Sequence, residues 1–153
     1  MAIVILQKNP VPVDDIDATG TPSGSTFLRG DGAWASPVVS QAQAFFATGD
    51  LTVRQGKSPF PAPFAMTIQG VRAAVGTAPA GADVIVDVNV NGTTIFTTQA
   101  NRPTIEAAST SSPEATPDVT SVVAGDLITV DIDQVGSSTP GADLVVVIRY
   151  IPA

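Results

Sequence analysis

The chain has 153 residues, a formal net charge of −7 from 7 Lys and Arg against 14 Asp and Glu, and neither His nor Cys. Phosphate neutralisation needs clustered cations, so this charge excludes a nucleic acid as partner. The missing imidazoles and thiols remove Ser-His-Asp triads, Cys-His dyads, disulfides and His- or thiolate-based metal sites. Hydrophobic residues reach 44% and charged ones 14%, while 13 Gly and 13 Pro cut the chain into short elements rich in Val, Ile and Ala, a composition for strands. The length fits one domain plus an arm. A positive mean hydropathy at this low charge density implies apolar surface that other chains cover.

Residues 1–19 read as an extended arm. Ile3, Val4, Ile5 and Leu6 make a β-type run, and Asn9-Pro10 and Pro12 forbid a helix after it. The apolar stretch Ala2 to Leu6 is too short for a membrane span and lacks the leader charge and cleavage site of a signal peptide. A mature N-terminus, cytoplasmic synthesis and no membrane partner are therefore expected. Asp14, Asp15 and Asp17 lack the Gly and the distant bidentate Glu of an EF-hand loop and read as a solvated acidic turn.

Residues 20–37, GTPSGSTFLRGDGAWASP, form a connector. Gly20, Gly24, Gly30 and Gly32 supply backbone freedom, Pro22 and Pro37 fix φ, and Phe27, Leu28 and Trp34 need something to bury against. An ordered joint in an assembly interface is expected. Trp34 packs on its own chain, sits at a threefold or particle contact, or serves as a carbohydrate platform. Arg29-Gly30-Asp31 spells an integrin-type tripeptide, and a tight turn accounts for it.

Residues 38–153 read as a β-sandwich domain. Val38 to Ala47 favours a strand. LTVRQ from Leu51 to Gln55 alternates, and Pro59, Pro61 and Pro63 close it with an extended loop whose Phe60 and Phe64 cap the core. In Phe64 to Val75 the apolar parity switches at Gly70, a bulge or bend signal that can let one strand serve two sheets. Val84 to Val90 alternates most clearly and meets Asn91-Gly92, a hairpin turn, with Thr93 to Gln99 as the return strand and either Ile95 or Phe96 pointing inward. Asn101 to Asp118 is a surface loop or a frayed edge. Val119 to Val123 is a short strand, Gly125-Asp126 a turn, and Leu127 to Val135 a strand with Ile128, Val130 and Ile132 facing the core. Leu144 to Ile151 is a near-continuous apolar run, the pattern of a strand buried on both faces. Seven or eight such strands predict an all-β fold, a β-sandwich of jelly-roll or immunoglobulin-like type, preceded by the extended N-terminal arm.

Two carboxylates could still run glycoside hydrolysis. Glu106 and Glu114 are the glutamates, and nothing around them suggests a desolvating pocket. Asp131 and Asp133 fall on the outer face of a strand, where solvation or a cation at a subunit contact is expected. Asn91-Gly92-Thr93 matches a glycosylation sequon that the hairpin explains. No catalytic residue, cofactor or metal ligand is assigned.

From Gly20 to Trp34 the chain fills every fixed position of G-T-P-S-x-S-T-F-L-R-G-D-G-x-W and so resembles a motif of bacteriophage fibre and other virion surface proteins, usually placed just ahead of a C-terminal β domain. The body from about Phe45 to Tyr150, with VRAAVGTAPAGAD and DVNVNGTTIF, resembles the small β domain of phage structural proteins. These resemblances imply a non-enzymatic virion surface protein of capsid decoration or head-fibre type, since a long tail fibre would need a shaft. They imply a homotrimer bound to the major capsid protein or other virion subunits through Ile3, Val4, Ile5, Leu6, Phe27, Leu28 and Trp34. The alternative is a tail-tip receptor- or carbohydrate-binding adhesin that meets a host surface glycan; a polysaccharide depolymerase is a third, weaker reading.

Overall fold

The computed structural model describes residues 18–24, 26–35 and 39–153, the side chains of Lys57 and Ser58 excepted. Ile3, Val4, Ile5, Leu6 and the acidic triplet at Asp14, Asp15 and Asp17 lie outside the described residues. The chain divides into two units, Met1–Val38 and Val39–Ala153. In the first, β1 (Phe27–Leu28) pairs antiparallel with β2 (Trp34–Ala35).

The second unit is built from β3 (Gln41–Asp50), β4 (Arg54–Pro61), β5 (Met66–Thr77), β6 (Val84–Val90), β7 (Thr93–Thr94), β8 (Thr104–Ile105), β9 (Ser121–Val122), β10 (Leu127–Gln134) and β11 (Ala142–Pro152). One sheet has the order β3-β11-β5-β9, and the other β4-β10-β6-β7 with β8 also beside β6. Apart from the β6-β7-β8 segment, every connection from β3 onward carries the chain from one sheet to the other. With β7 and β8 counted as one interrupted strand, this is the order of an eight-stranded jelly roll. An immunoglobulin-like sandwich instead keeps several successive strands in one sheet. Among the described residues the helical content is a single 3-10 turn, Gln99–Asn101.

Alternation builds one core from both sheets. Val84, Val86 and Val88 of β6 and Ile128, Val130 and Ile132 of β10 meet Leu144, Val146, Ile148 and Tyr150 of β11. Each such side chain contributes about 1.5–3 kcal/mol by leaving water. Phe60 stacks edge-on against Phe45 at 6.3 Å, and Phe64 packs against Tyr150, so both close the core as expected. At Asn91 (φ 52°) and Gly92 (φ 79°) the backbone makes the positive-φ turn that their residue types tolerate.

Several expectations need correction. Gly70 does mark a bulge, because the register moves from Arg149↔Gly70 to Tyr150↔Ile68. The extra residue restores parity, so Met66, Ile68, Val71, Ala73 and Val75 all face one core and β5 stays within one sheet. Pro59 and Pro61 do not end a strand; they lie within β4, which begins at Arg54 rather than at Leu51. An edge strand tolerates proline, and β4 pairs on one side with β10 through two register shifts.

The return strand stops at Thr94, whose hydroxyl accepts the Phe96 N–H at 3.0 Å and ends the ladder. Ile95 and Phe96 are both buried. The segment Asn101 to Asp118 is not frayed: Ala115 exchanges backbone hydrogen bonds with Val71, and the Ser112 N–H donates to Ala73 O, which seals the edge of β5. Finally, β11 is buried on one face alone. Val145 and Val147 on its other face are half-buried, and Arg149 is exposed.

Candidate functional site

The connector string folds as a small self-bonded hairpin. Gly32 N–H donates to Arg29 O (3.0 Å), Arg29 N–H to Ala33 O (2.8 Å), and Ala33 N–H to Asp31 Oδ1 (3.2 Å). Arg29 and Asp31 pair across the same turn at 3.3 Å, so the tripeptide here is turn chemistry. Upstream, Thr19 lies beside Ala33, and the Trp34 N–H donates to Thr19 O at 2.7 Å. Gly20 has φ +90°, and a Cβ there would sit 2.7 Å from Trp34 O, so no other residue fits comfortably. Ser23 N–H donates to Thr26 Oγ1 at 2.7 Å and closes the preceding bend.

This hairpin brings together three of the sequence-derived interface residues. Leu28 stands opposite Trp34 and Phe27 opposite Ala35. Directly paired residues share a face, so the hairpin shows Leu28 with Trp34 on one side and Phe27 with Ala35 on the other. Phe27 is 47% and Leu28 41% exposed, while Trp34 is half-buried.

The outward face of the β4-β10-β6 sheet is acidic and closed by its own bonds. Asp131 Oδ2 accepts from Asn89 Nδ2 at 3.0 Å, and Asp131 Oδ1 accepts the Gly56 N–H. Asp133 is paired with Arg102. Asp87 lies opposite Asp131 and is buried; its Oδ1 accepts from the Val88 N–H (2.7 Å) and the Thr94 hydroxyl (2.8 Å). Burial pushes the Asp87 carboxyl above 3.8, against the opposing pull of those two hydrogen bonds. At the loops, the Thr98 N–H holds Asp118 below the ordinary value and the Val123 N–H does the same for Asp126. The Asn91 side chain joins the hairpin to the next turn, donating to Asp126 Oδ1 and accepting the Leu127 N–H, which accounts for the sequon.

The outward face of the β3-β11-β5 sheet is its opposite in chemistry. The register sets Phe46, Val145 and Ala74 in one row and Ala44, Val147 and Arg72 in the next. Phe46 is 69% exposed. Between Val145, Val147 and the Ser111-to-Glu114 segment runs a groove of about 300 Å³, at whose end Arg149 pairs with Glu114. Sequence reading missed Phe46, although the doublet Phe45-Phe46 in a strand requires one ring to face outward. No group of three or more acidic or other metal-binding side chains converges among the described residues.

No family model and no curated protein matches the sequence. One solved structure to which it is similar, described as the cyanophage Pam1 capsid asymmetric unit, shows 15% identity over 89% of this chain and 92% of that chain, with a TM-score of 0.48.

Proposed function

We propose that this chain is a non-enzymatic structural subunit of a bacteriophage virion, a capsid decoration or head-fibre protein on the particle surface. Residues 1–19 act as anchoring arm, residues 20–37 as connector, and the jelly roll is displayed outward as a homotrimer. The fold alone does not decide this, since jelly rolls serve capsids, lectins and enzymes alike. The observation that carries the reading is the Gly20–Trp34 string. It resembles the phage virion motif, and among its described residues Ser23, Thr26, Arg29 and Asp31 bond within its own turns while Phe27 and Leu28 stay exposed, as anchors for a capsid surface must be.

A host surface glycan is the second reading, favoured by a shallow polar groove of about 600 Å³ on the acidic face, lined by Asn89, Gln99 and Asp131 among others. The test adds purified full-length chain, the Phe27→Ser/Leu28→Ser variant, and a chain lacking residues 1–37 to particles without the protein. Loss of particle binding by both altered chains, each still folded, is expected. Unchanged binding overturns the anchoring role, and glycan-array binding by the body alone supports the adhesin.

A further inference from the structure

Strand β11 has the sequence of a strand covered on both faces, yet among the described residues only one face is fully buried. Val145 and Val147 point outward between the buried Leu144, Val146 and Ile148, and Phe46, paired with Val145, extends that apolar surface onto β3. The described residues leave this face unfinished.

The edge beside it is unfinished too. Sheet edges pair with other chains unless something blunts them. Pro59, Pro61 and two register shifts blunt β4. The 110–115 segment occupies the edge of β5, and β7 and β8 have two residues each. Strand β3 runs for ten residues, QAQAFFATGD, with no Pro, Lys or Arg, and its outer edge pairs with nothing among the described residues.

Charge selects what covers this region. A chain of net charge −7 repels its own copies wherever carboxylates face each other. The acidic sheet face forbids such an approach, whereas here Glu114 is neutralised by Arg149 and the centre of the face has no acid. Arg72 has no ion pair among the described residues, and Asp50, exposed at the end of β3, is a carboxylate that a neighbouring copy can offer it.

We infer that the outward face of the β3-β11-β5 sheet, with the adjoining edge of β3, is where copies of this chain meet. The inference rests on the reading of the protein as an assembled structural subunit and names the surface that does the assembling. It differs from the anchoring residues, which lie in the other unit.

The experiment is the native mass of the full chain by light scattering, compared with Phe46→Asp, Val147→Thr and, on the opposite face, Thr129→Lys beside Asn89. Wild type and Thr129→Lys are expected to assemble. Phe46→Asp should fall to the single-chain mass of 15.5 kDa with unchanged circular dichroism, its association weakened on the order of 100-fold. Val147→Thr, milder and safer for folding, should shift the same way. Assembly by Phe46→Asp equal to wild type, or a wild type that stays single at about 100 μM, overturns the inference. So does a Phe46→Asp chain that self-associates but no longer binds particles, because a capsid partner then covers the face and the virion reading stands. Loss of the virion reading itself would show only in the particle-binding experiment.

Discussion

The two outward sheet faces solve the same problem in different ways. On the acidic face, every carboxylate finds its donors within the chain: Asn89 and Gly56 for Asp131, Arg102 for Asp133, Thr94 and Val88 for Asp87. On the apolar face, Phe46, Val145 and Val147 have no such local remedy. A polar group can be satisfied by one well-placed neighbour, but apolar area leaves water only when another surface covers it. One face is complete in the subunit, and the other, by the inference above, is completed by a second copy.

The comparison breaks most visibly along β11. Ile148→Ala opens a cavity in the core and should cost about 2–5 kcal/mol in urea unfolding of dilute chain. Val147→Ala, one residue away and outward, should change that value by less than about 0.5 kcal/mol. A large cost for Val147→Ala in dilute chain would mean that the face is already covered within the subunit. On the acidic face, Asp131→Ala leaves the Gly56 N–H and the Asn89 amide without their acceptor and should cost about 1–2 kcal/mol, with no effect on native mass.

The smallest effect is electrostatic. Because the Asp87 carboxyl is raised in the fold, its protonation adds stability, fully present below 3.8 and lost as pH rises through its raised value. Asp118 and Asp126 act in the opposite sense: their contribution is present above 3.8 and is lost as pH falls through their lowered values. From these groups, melting temperature against pH should therefore peak around the ordinary carboxylate value of 3.8. Asp87→Asn, which keeps an acceptor oxygen, should raise the value at pH 7 and flatten the alkaline side of the peak; an unchanged profile would show that burial of Asp87 costs nothing.

Much of the body is legible in the sequence because its signals are local. The alternating valines of β6, the Asn91-Gly92 turn and the bulge at Gly70 each depend on a few adjacent residues. What was not legible depends on neighbours. Whether Pro59 and Pro61 end a strand depends on whether that strand lies at an edge, and jelly roll against immunoglobulin-like order depends on pairings between distant segments. The β11 run announced two covered faces, but the described residues bury only one of them. In the connector, the turn formers were readable, whereas the 2.7 Å approach of a Gly20 Cβ to Trp34 O emerges only in three dimensions. The contribution of Ile3, Val4, Ile5 and Leu6 belongs to the particle-binding experiment.

Amide hydrogen exchange on the full chain, assembled and then diluted to single chains, tests the unfinished face most directly. Assembly should protect the amides of Gln41–Asp50 and leave those of Leu127–Gln134 on the acidic sheet unchanged. Equal exchange of β3 in both states, or new protection confined to β10, would contradict self-association through this face.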